Sequence, residues 1–313
     1  FDNDLGTSVV FVHSKKGADL IQNIKTLKKQ DFPLDKAIAG NCHLMKPLCH
    51  SSHDRDAFYA ILNESLDACI KKYLPHFGVE QLSVKEKLKN LVRFFLNVKR
   101  VSGWSLGTWL KNFRYNFFCE QVKGNVLEGK YFIINKYCTI VLESKAQLIL
   151  NAPFYFGNKR IKGSRLDSRL LIESGGRMEI KYGSYNVAYG ADIEVFQNAI
   201  LEIGGELGAN IGLTIICADH ISIGQHTGCG RNVTIRDNNG EHFISIRGYK
   251  TSSPVTIKEH VWLTESCTVM PGAVIEPGAI ISARSVVSGH IPAFSIVKGD
   301  PAVVVEKNIV WKG

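Results

Sequence analysis

The chain has 313 residues, of which 45% are apolar, and carries a formal net charge of +9. No apolar run approaches the roughly 18 residues of a membrane-spanning helix, and the first residues lack the basic-then-apolar order of a signal peptide. We therefore expect a cytoplasmic protein. Its positive charge favours anionic partners, but no readable nucleic-acid motif is present, so we expect no nucleic-acid partner.

The cysteines do not form a recognisable framework. The chain has eight of them, spread along its length with no CxxC pair, so we expect reduced thiols. One cluster, CHLMKPLCHSSH at residues 42–53, combines cysteine with histidine, but its spacing matches no common structural zinc pattern. We therefore predict no metal.

The first part of the chain is predicted to be an α/β or helical segment over residues 1–80, followed by a helical lead-in over 81–125. Ser83 and Glu86 have the spacing of a capping box, which marks the start of a helix. Six lysines and arginines accompany its apolar face. They indicate either a solvated face on a helix packed against the following domain or contact with an anionic membrane surface. The apolar face consists of Leu88, Leu91, Val92, Phe95 and Val98.

A period of six residues dominates the second half of the chain. Large aliphatic residues recur at every sixth position from 257, and small residues occupy most of the positions four after them. An earlier block, through Ile211, Cys217, Ile223, Cys229 and Ile235, keeps the same beat less regularly. The large positions are Ile257, Leu263, Val269, Ile275, Ile281 and Val287, and the positions after the first five are Val261, Cys267, Ala273, Ala279 and Ser285.

A six-residue beat suits neither an α-helix nor a hairpin ladder. It is typical of a triangular coil of short parallel strands, in which three hexapeptides make one rung. Pro271-Gly272 and Pro277-Gly278 have the pattern of type II turns, which fits the corners of such a coil. The sequence therefore predicts a mainly β fold, a parallel β-helix of hexapeptide repeats over 126–313 with a helical N-terminal region.

The beat fails once, between Ile235 and Ile257, where the interval is 22 residues and not a multiple of six. The chain must leave the coil there, and we predict an excursion loop over 237–254. Loops on rigid scaffolds often carry functional side chains. His242 lies in this loop, and its imidazole is suited to remove a hydroxyl proton at neutral pH.

The imidazole of such a base is usually oriented by a second group. Asp237 or Glu241 could accept its other N–H, and spacing does not decide between them. Four other histidines are weaker candidates, because three lie within the register of the coil and the fourth follows its last repeat. These four are His220, His226, His260 and His290.

Three stretches resemble the hexapeptide-repeat acyltransferases, in particular the O-acetyltransferases of lipopolysaccharide and capsule biosynthesis. They are VTIRDNNGEH at 233–242, PVTIKEHVWL at 254–263 and the repeat run at 269–305. The resemblance covers about residues 85–313. It implies a left-handed β-helix, His242 as general base and acetyl-CoA as donor. It also implies a homotrimer with active sites between neighbouring coils.

The resemblance extends to donor and acceptor residues. Trp262 matches an aromatic residue beside the acetyl-CoA channel, and Ala283 and Ser288 match contacts to the pantetheine arm. Asn210 falls near an acceptor position. The cations that often meet the CoA phosphates are replaced here by Gly289, Val303 and Glu306. The nearby Lys298 and Lys307 could take over that role.

A second resemblance covers about residues 1–62. DNDLGTSVVFVHSKKG and NCHLMKPLCHSSHDRDAFY resemble the C-terminal tail of the deazaflavin-dependent hydrogenase/dehydrogenase β-subunit family. The iron–sulfur cysteines and the flavin region of that family are absent from this sequence. The segment is therefore interpreted as a remnant without activity.

Together these features predict transfer of an acetyl group from acetyl-CoA to a hydroxyl of a sugar or polysaccharide precursor. Two alternatives remain open at this point. The coil could be a non-catalytic scaffold or carbohydrate-binding module, or it could acylate the nitrogen of an amino sugar with the same base. Peripheral contact with the inner face of a membrane is a further expectation.

Overall fold

The computed structural model describes residues 82–206, 208–240, 245 and 247–312. The chain divides into two compact units, 1–81 and 82–313, and the second is described here. The segment predicted over 1–80, its cysteine–histidine cluster and its resemblance to a redox family lie outside the described residues and stay predictions.

The second unit begins with two α-helices, α1 (Val84–Ser102) and α2 (Leu106–Phe117). The capping box at the start of α1 is confirmed: the Glu86 N–H donates to Ser83 Oγ at 3.2 Å, and the Ser83 N–H donates to the Glu86 carboxylate at 2.9 Å. These bonds satisfy two backbone donors that the first turn of a helix leaves free. No helix of the described chain is long and apolar enough to span a membrane.

The predicted apolar face of α1 is divided between protein and solvent. Val98 is buried and Leu91 packs beside it, together with Phe94, which the pattern did not include. Leu88 and Val92 are exposed. The helix therefore packs mainly through residues 91, 94 and 98, and part of its apolar side stays exposed.

The remaining chain forms a left-handed parallel β-helix with three faces, each a sheet. The first face contains β1 (Val122–Lys123), β4 (Gln147–Leu150), β7 (Arg177–Ile180), β10 (Ile200–Ile203), β13 (His220–Ile223), β16 (Val255–Ile257), β19 (Val274–Ile275) and β22 (His290–Ile291). The second contains β2 (Phe132–Ile134), β5 (Phe154–Asn158), β8 (Tyr185–Ala188), β11 (Gly208–Ala209), β14 (Gly228–Cys229), β17 (Trp262–Leu263), β20 (Ile280–Ile281), β23 (Ser295–Gly299) and β24 (Ala302–Lys307). The third contains β3 (Cys138–Leu142), β6 (Ser168–Ile172), β9 (Asp192–Val195), β12 (Thr214–Cys217), β15 (Thr234–Arg236), β18 (Thr268–Val269) and β21 (Val286–Val287).

The chain visits the three faces in turn, so each rung has three corners. We call the turn from the first face to the second the first corner, the next the second corner, and the turn from the third face back to the first the third corner. A short 3₁₀-helix, Val126–Glu128, lies at the first corner of the first rung.

The six-residue beat is confirmed as the pattern of the core. All six large positions from Ile257 to Val287 are at most 1% exposed, and all five small positions from Val261 to Ser285 are fully buried. The rungs here are eighteen residues long, as the pairing of Thr256 with Val274 shows. Both kinds of residue therefore point into the narrow prism, where close packing tolerates little change in volume.

The beat predicted for the earlier block is wrong at Ile211, which is half-buried at the second corner. The inward residue of that strand is Ala209, which is 5% exposed. The reason is strand length: β12 has four residues and sends both Ile215 and Cys217 into the core. Its rung is twenty residues long, with Leu201 paired to Ile221, so the beat shifts by two positions at β12.

The predicted glycine turns are present at the corners. Gly272 and Gly278 have φ values of 77° and 71°, a left-handed conformation that glycine adopts without strain. At Gly278 a Cβ atom would lie 2.5 Å from the ring of Phe294, so space also requires glycine there.

Helix α2 closes the N-terminal edge of the second face. The side-chain amides of Asn112 and Asn116 lie one turn apart and act as an additional strand. The amide of Asn112 receives the Ile134 N–H at 2.8 Å and donates to the Ile134 C=O at 2.7 Å, and Asn116 does the same with Phe132 at 2.8 and 2.7 Å. The free edge of β2 therefore keeps its backbone hydrogen bonds.

The same helix also covers the start of the third face. Lys111 Nζ donates to the Cys138 C=O at 2.7 Å, and the Tyr115 hydroxyl donates to the Ile140 C=O at 2.9 Å. At the other end of the coil, β24 folds back antiparallel on β23 and pairs with the last edge of the second face.

Replacing Asn112 by alanine removes both hydrogen bonds to Ile134 and leaves a buried N–H and C=O unpaired. Since each such group costs roughly 1–3 kcal/mol, we expect Asn112→Ala to lower the free energy of unfolding by about 2–4 kcal/mol. Urea denaturation measures the loss. Asn90→Ala, which removes one exposed bond to the Leu127 C=O, should cost less than about 1 kcal/mol. Equal losses in the two variants would contradict the capping role.

Candidate functional site

The chain leaves the coil between β15 and β16, at the third corner, where the beat fails. A short antiparallel neck closes the excursion at its base. The Asn239 N–H donates to the Thr251 C=O at 3.0 Å, and the Ser253 N–H donates to the Asp237 C=O at 2.7 Å. His242 and Glu241, the predicted base and one of its possible partners, lie outside the described residues.

Asp237 anchors this neck to the coil. It is fully buried, and its two carboxylate oxygens accept the backbone N–H groups of Ala218 at 2.7 Å and Asp219 at 2.8 Å. The side chains of Asn238 and Cys217 approach the same carboxylate at 3.2 and 3.7 Å. Hydrogen bonds from several donors to a carboxylate are strong in a dry interior, so the excursion has a rigid base.

Asn238, which sequence reasoning did not single out, extends the anchor. It is 4% exposed, its amide donates to the Ile216 C=O at 3.1 Å, and its side-chain oxygen accepts the Gly240 N–H at 3.0 Å. Arg236 Nε donates to the Asn238 C=O at 2.7 Å. A cavity of about 220 Å³ lies beside this base, lined in part by Asn238, Gly240 and Thr251.

Asn210, the predicted acceptor residue, lies at the second corner, where it is exposed and bonds the Ile211 N–H at 2.9 Å. Strand β12 separates this corner from the turn that Asp237 holds. Four residues of extended strand span about 13 Å. One chain therefore places Asn210 and the neck of the excursion at opposite ends of its third face.

Trp262 lies on the second face, paired in register with Gly228 and Ile280, and its side chain is 43% exposed. Trp311, which has no place in the hexapeptide pattern, approaches it with ring centroids 5.7 Å apart. Trp311 also stacks on His260 at 4.1 Å. The three rings form an aromatic surface on this side of the coil.

The other predicted donor residues are distributed over the C-terminal rungs. Ala283 is exposed at the second corner, whereas Ser288 is exposed at the third corner. Lys298 and Lys307 lie on the antiparallel pair β23 and β24, where Lys298 faces Val303 and Lys307 faces Ser295. Both lysines are exposed, and neither forms an ion pair with another described residue.

The four other histidines of the coil each have a partner. His260 Nε2 donates to the Trp311 C=O at 3.0 Å in addition to its stacking. The other three face carboxylates: His220 with Glu202 at 3.1 Å, His226 with Glu206 at 2.6 Å, and His290 with Glu276 at 3.3 Å. Paired surface histidines of this kind are weaker candidates for a general base than one on a functional loop.

The buried thiols of the coil are poorly suited to nucleophilic chemistry. Burial raises the pKa of Cys229 and of Cys267 to about 12, and burial, reinforced by the charge of Asp237, raises the pKa of Cys217 further. Thiolates are the reactive form of cysteine, and these residues are protonated at neutral pH. Within the described ranges no group of three or more histidine, cysteine, aspartate or glutamate residues could hold a metal ion.

Comparison with known proteins places this geometry in context. The putative lipopolysaccharide biosynthesis O-acetyl transferase WbbJ of Escherichia coli K12 is 28% identical over 140 residues, which cover 41% of this chain and 71% of that protein. The galactoside O-acetyltransferase of Lactococcus lactis is 33% identical over 111 residues, 34% of this chain and 53% of that protein. The chain is thus similar in sequence to these O-acetyltransferases.

The resemblance stated from the sequence is thereby confirmed for this family. The chain spans about half the length of the Lactococcus relative. Among solved structures, the polySia-specific acetyltransferase NeuO is similar at 20% identity with a TM-score of 0.38, over 61% of this chain and 82% of that one. No protein-family model matches the chain.

Removing the charge of Asp237 should loosen the base of the excursion. In Asp237→Asn the amide can accept only one of the two backbone N–H groups, so the other is left buried and unpaired. We expect the free energy of unfolding to fall by about 1–3 kcal/mol in urea denaturation. Asp219→Asn changes an exposed carboxylate in the contacted turn and should stay within about 0.5 kcal/mol of wild type. If Asp237→Asn were as stable as wild type, the role of Asp237 as an anchor of the excursion would be wrong.

Proposed function

We propose that the chain transfers an acetyl group from acetyl-CoA to a hydroxyl of a sugar or polysaccharide precursor, with His242 as general base. The observation that carries this proposal is the excursion that bears His242. It is the single interruption between β12 and the end of the six-residue beat, and the buried Asp237 holds its base rigidly. The O-acetyltransferase relatives named above support the chemistry.

In the proposed reaction the imidazole of His242 removes the proton from the acceptor hydroxyl as its oxygen attacks the thioester carbonyl. A tetrahedral intermediate forms, the carbon–sulfur bond breaks, and the thiol of CoA leaves with the proton. The thioester is already activated, so the chain need not supply a covalent nucleophile. The high pKa values of the buried thiols agree with this scheme.

Glu241 is the better candidate to orient the imidazole. The two carboxylate oxygens of Asp237 already receive two backbone N–H groups, the Asn238 amide and the Cys217 thiol. A further bond from His242 would compete with these donors. We therefore assign Asp237 a positioning role through the neck of the excursion, and Glu241 the contact with the base.

The donor would bind along the second face toward the C-terminal rungs. The exposed ring of Trp262 offers a flat apolar surface for the pantetheine arm, with Ala283 contributing from the adjoining second corner. Ser288, exposed at the third corner, would contact a donor bound on a neighbouring coil. Lys298 and Lys307 are the cations available to the CoA phosphates on the neighbouring β23 and β24. Lysine binds phosphate as a point charge and tolerates such an open surface.

A homotrimer is part of the proposal, because a single coil separates Asn210 from the neck of the excursion that bears His242. Asn210 and the excursion occupy opposite corners of the third face. If neighbouring coils pack side by side, the excursion of one chain meets the second corner of the next. The active site would then lie between subunits, and each chain would contribute to two of them.

Peripheral contact with an anionic membrane surface stays a proposal. It is supported by the exposed apolar residues Leu88, Val92 and Leu96 of α1, which are flanked by lysines. Apolar side chains with adjacent cations suit the interface of an anionic bilayer. Co-sedimentation with anionic vesicles, compared with neutral ones, measures this contact.

Two alternative functions predict different experimental results. A scaffold or carbohydrate-binding role would require no acetyl-CoA, so a melting temperature unchanged by acetyl-CoA would favour it. An N-acyltransferase would use the same base, and only the product, an amide or an ester, separates it from the leading proposal. Mass spectrometry of reactions with hydroxyl and amino sugars identifies the product.

Replacing His242 by alanine should lower kcat by about 10²–10⁴-fold, since general-base catalysis contributes on that order. The variant should keep the melting temperature and the oligomeric mass of wild type, measured by light scattering. His226→Ala removes an exposed histidine paired with Glu206 and is the matched control, with wild-type kcat expected. Full activity in His242→Ala would overturn the catalytic assignment.

Reversing the charge of Lys298 and Lys307 together should weaken binding of the CoA phosphates. We expect KM for acetyl-CoA to rise about tenfold, because each exposed ion pair is worth up to about 1 kcal/mol. KM for acetyl-pantetheine, which lacks the nucleotide phosphates, should not change. A second double reversal, Lys123→Glu with Lys145→Glu at exposed positions of the early rungs, controls for net charge. Equal KM changes for both donors would exclude these lysines from the phosphate site.

A further inference from the structure

A large cationic cavity opens at the second corner of the first rungs. Its volume is about 750 Å³, and its walls come from the end of α1, the turn between β2 and β3, and the segment that joins β5 to β6. None of the lining residues that the structure describes is acidic. Six of them are cations: Arg100, Lys136, Lys159, Arg160, Lys162 and Arg165.

Arg160 is held at this cavity by two aromatic rings. Its guanidinium lies 5.1 Å from the ring centroid of Tyr137 and 5.2 Å from that of Tyr189. Nη1 donates to the Ser164 C=O at 3.3 Å. Nε and Nη2 are buried and have no hydrogen-bond partner among the described residues. The two rings thus hold the guanidinium in place, and the edge formed by Nε and Nη2 lacks a hydrogen-bond partner from the described residues.

A second arginine shows what that edge binds. Arg169, on the third face, uses the same two atoms to hold Asp192, with Nε and Nη2 at 2.9 and 2.8 Å from the two carboxylate oxygens. This two-pronged geometry is specific for groups with two adjacent anionic oxygens, such as carboxylate and phosphate. Leaving buried donors unpaired costs free energy, so Nε and Nη2 of Arg160 favour binding of such a group.

The cavity is close to the acceptor side of the proposed active site. Tyr189, which stacks on Arg160, accepts the Gly212 N–H at its backbone carbonyl at 3.4 Å. Gly212 follows Asn210 by two residues at the same corner of the next rung. A saccharide that reaches Asn210 could therefore extend along the second corner into the cavity.

We propose that the Arg160 cavity binds a carboxylate or phosphate group of the acceptor, and that the acceptor is therefore an acidic saccharide. This inference rests on the proposed function and names its substrate class. The five other cations of the cavity would bind further negative charges along the same saccharide. A neutral saccharide would leave Nε and Nη2 of Arg160 unpaired.

Calorimetric titration without acetyl-CoA tests the site directly. The ligands are an oligogalacturonate, a phosphorylated oligosaccharide and a neutral oligosaccharide of equal length. We expect wild type to bind at least one acidic ligand with an affinity about tenfold higher than that for the neutral one. Comparison of the two acidic ligands identifies whether carboxylate or phosphate is preferred. Equal affinity for neutral and acidic ligands would overturn the inference.

Two variants distinguish two-pronged hydrogen bonding by Arg160 from general electrostatic attraction to a basic protein. Arg160→Lys keeps the charge but loses the two-pronged edge, so its affinity for the acidic ligand should fall about tenfold, and Arg160→Gln should fall further. Arg169→Gln, whose edge is already occupied by Asp192, should bind as wild type does. Melting temperatures check the folding of all three. Wild-type affinity in Arg160→Lys would overturn the inference.

Acetyl transfer to the same ligands separates this inference from the proposed function. If no ligand is acetylated but binding depends on Arg160, the proposed function fails and the anion site stands. If neutral and acidic ligands are acetylated equally by wild type and by Arg160→Lys, the acetyltransferase stands and the inference fails.

Discussion

The structure depends on one constraint, the narrow closed prism in which parallel strands pair from rung to rung. In the C-terminal rungs its interior alternates large and small side chains, as the fully buried Leu263 and Ala273 illustrate. The corners are free of this constraint. Ile221 pairs with Val255 across the whole excursion, although regular rungs advance by only eighteen residues. Chemistry can therefore be added at a corner without disturbing the ladder.

This separation explains how functional groups are arranged. The excursion, the Asn210 turn and the Arg160 cavity all lie at corners, and the faces between them serve as spacers of fixed length. The buried carboxylate of Asp237 connects the excursion to the coil, because it belongs to the excursion but accepts hydrogen bonds from the backbone of the preceding rung. Placement of the site thus depends on the rigidity of the coil.

Much of the fold could be predicted from the sequence, because the prism imposes a period that no other architecture shares. The prediction failed at Ile211, where a four-residue strand shifts the beat by two positions. The role of Asp237 as an anchor was not predictable, since its partners are backbone groups of another rung. Arg160 lies in an irregular segment without any period, and its isolation from acidic residues becomes apparent only in three dimensions.

The amides of Asn112 and Asn116 have a consequence for the behaviour of the protein in concentrated solution. A coil of parallel strands presents an open backbone edge at its end, and identical coils could join head to tail into a growing fibre. The two asparagines occupy the hydrogen-bonding positions of β2 that a second molecule would need. Loss of either amide would therefore free backbone groups of β2 for pairing with a second molecule.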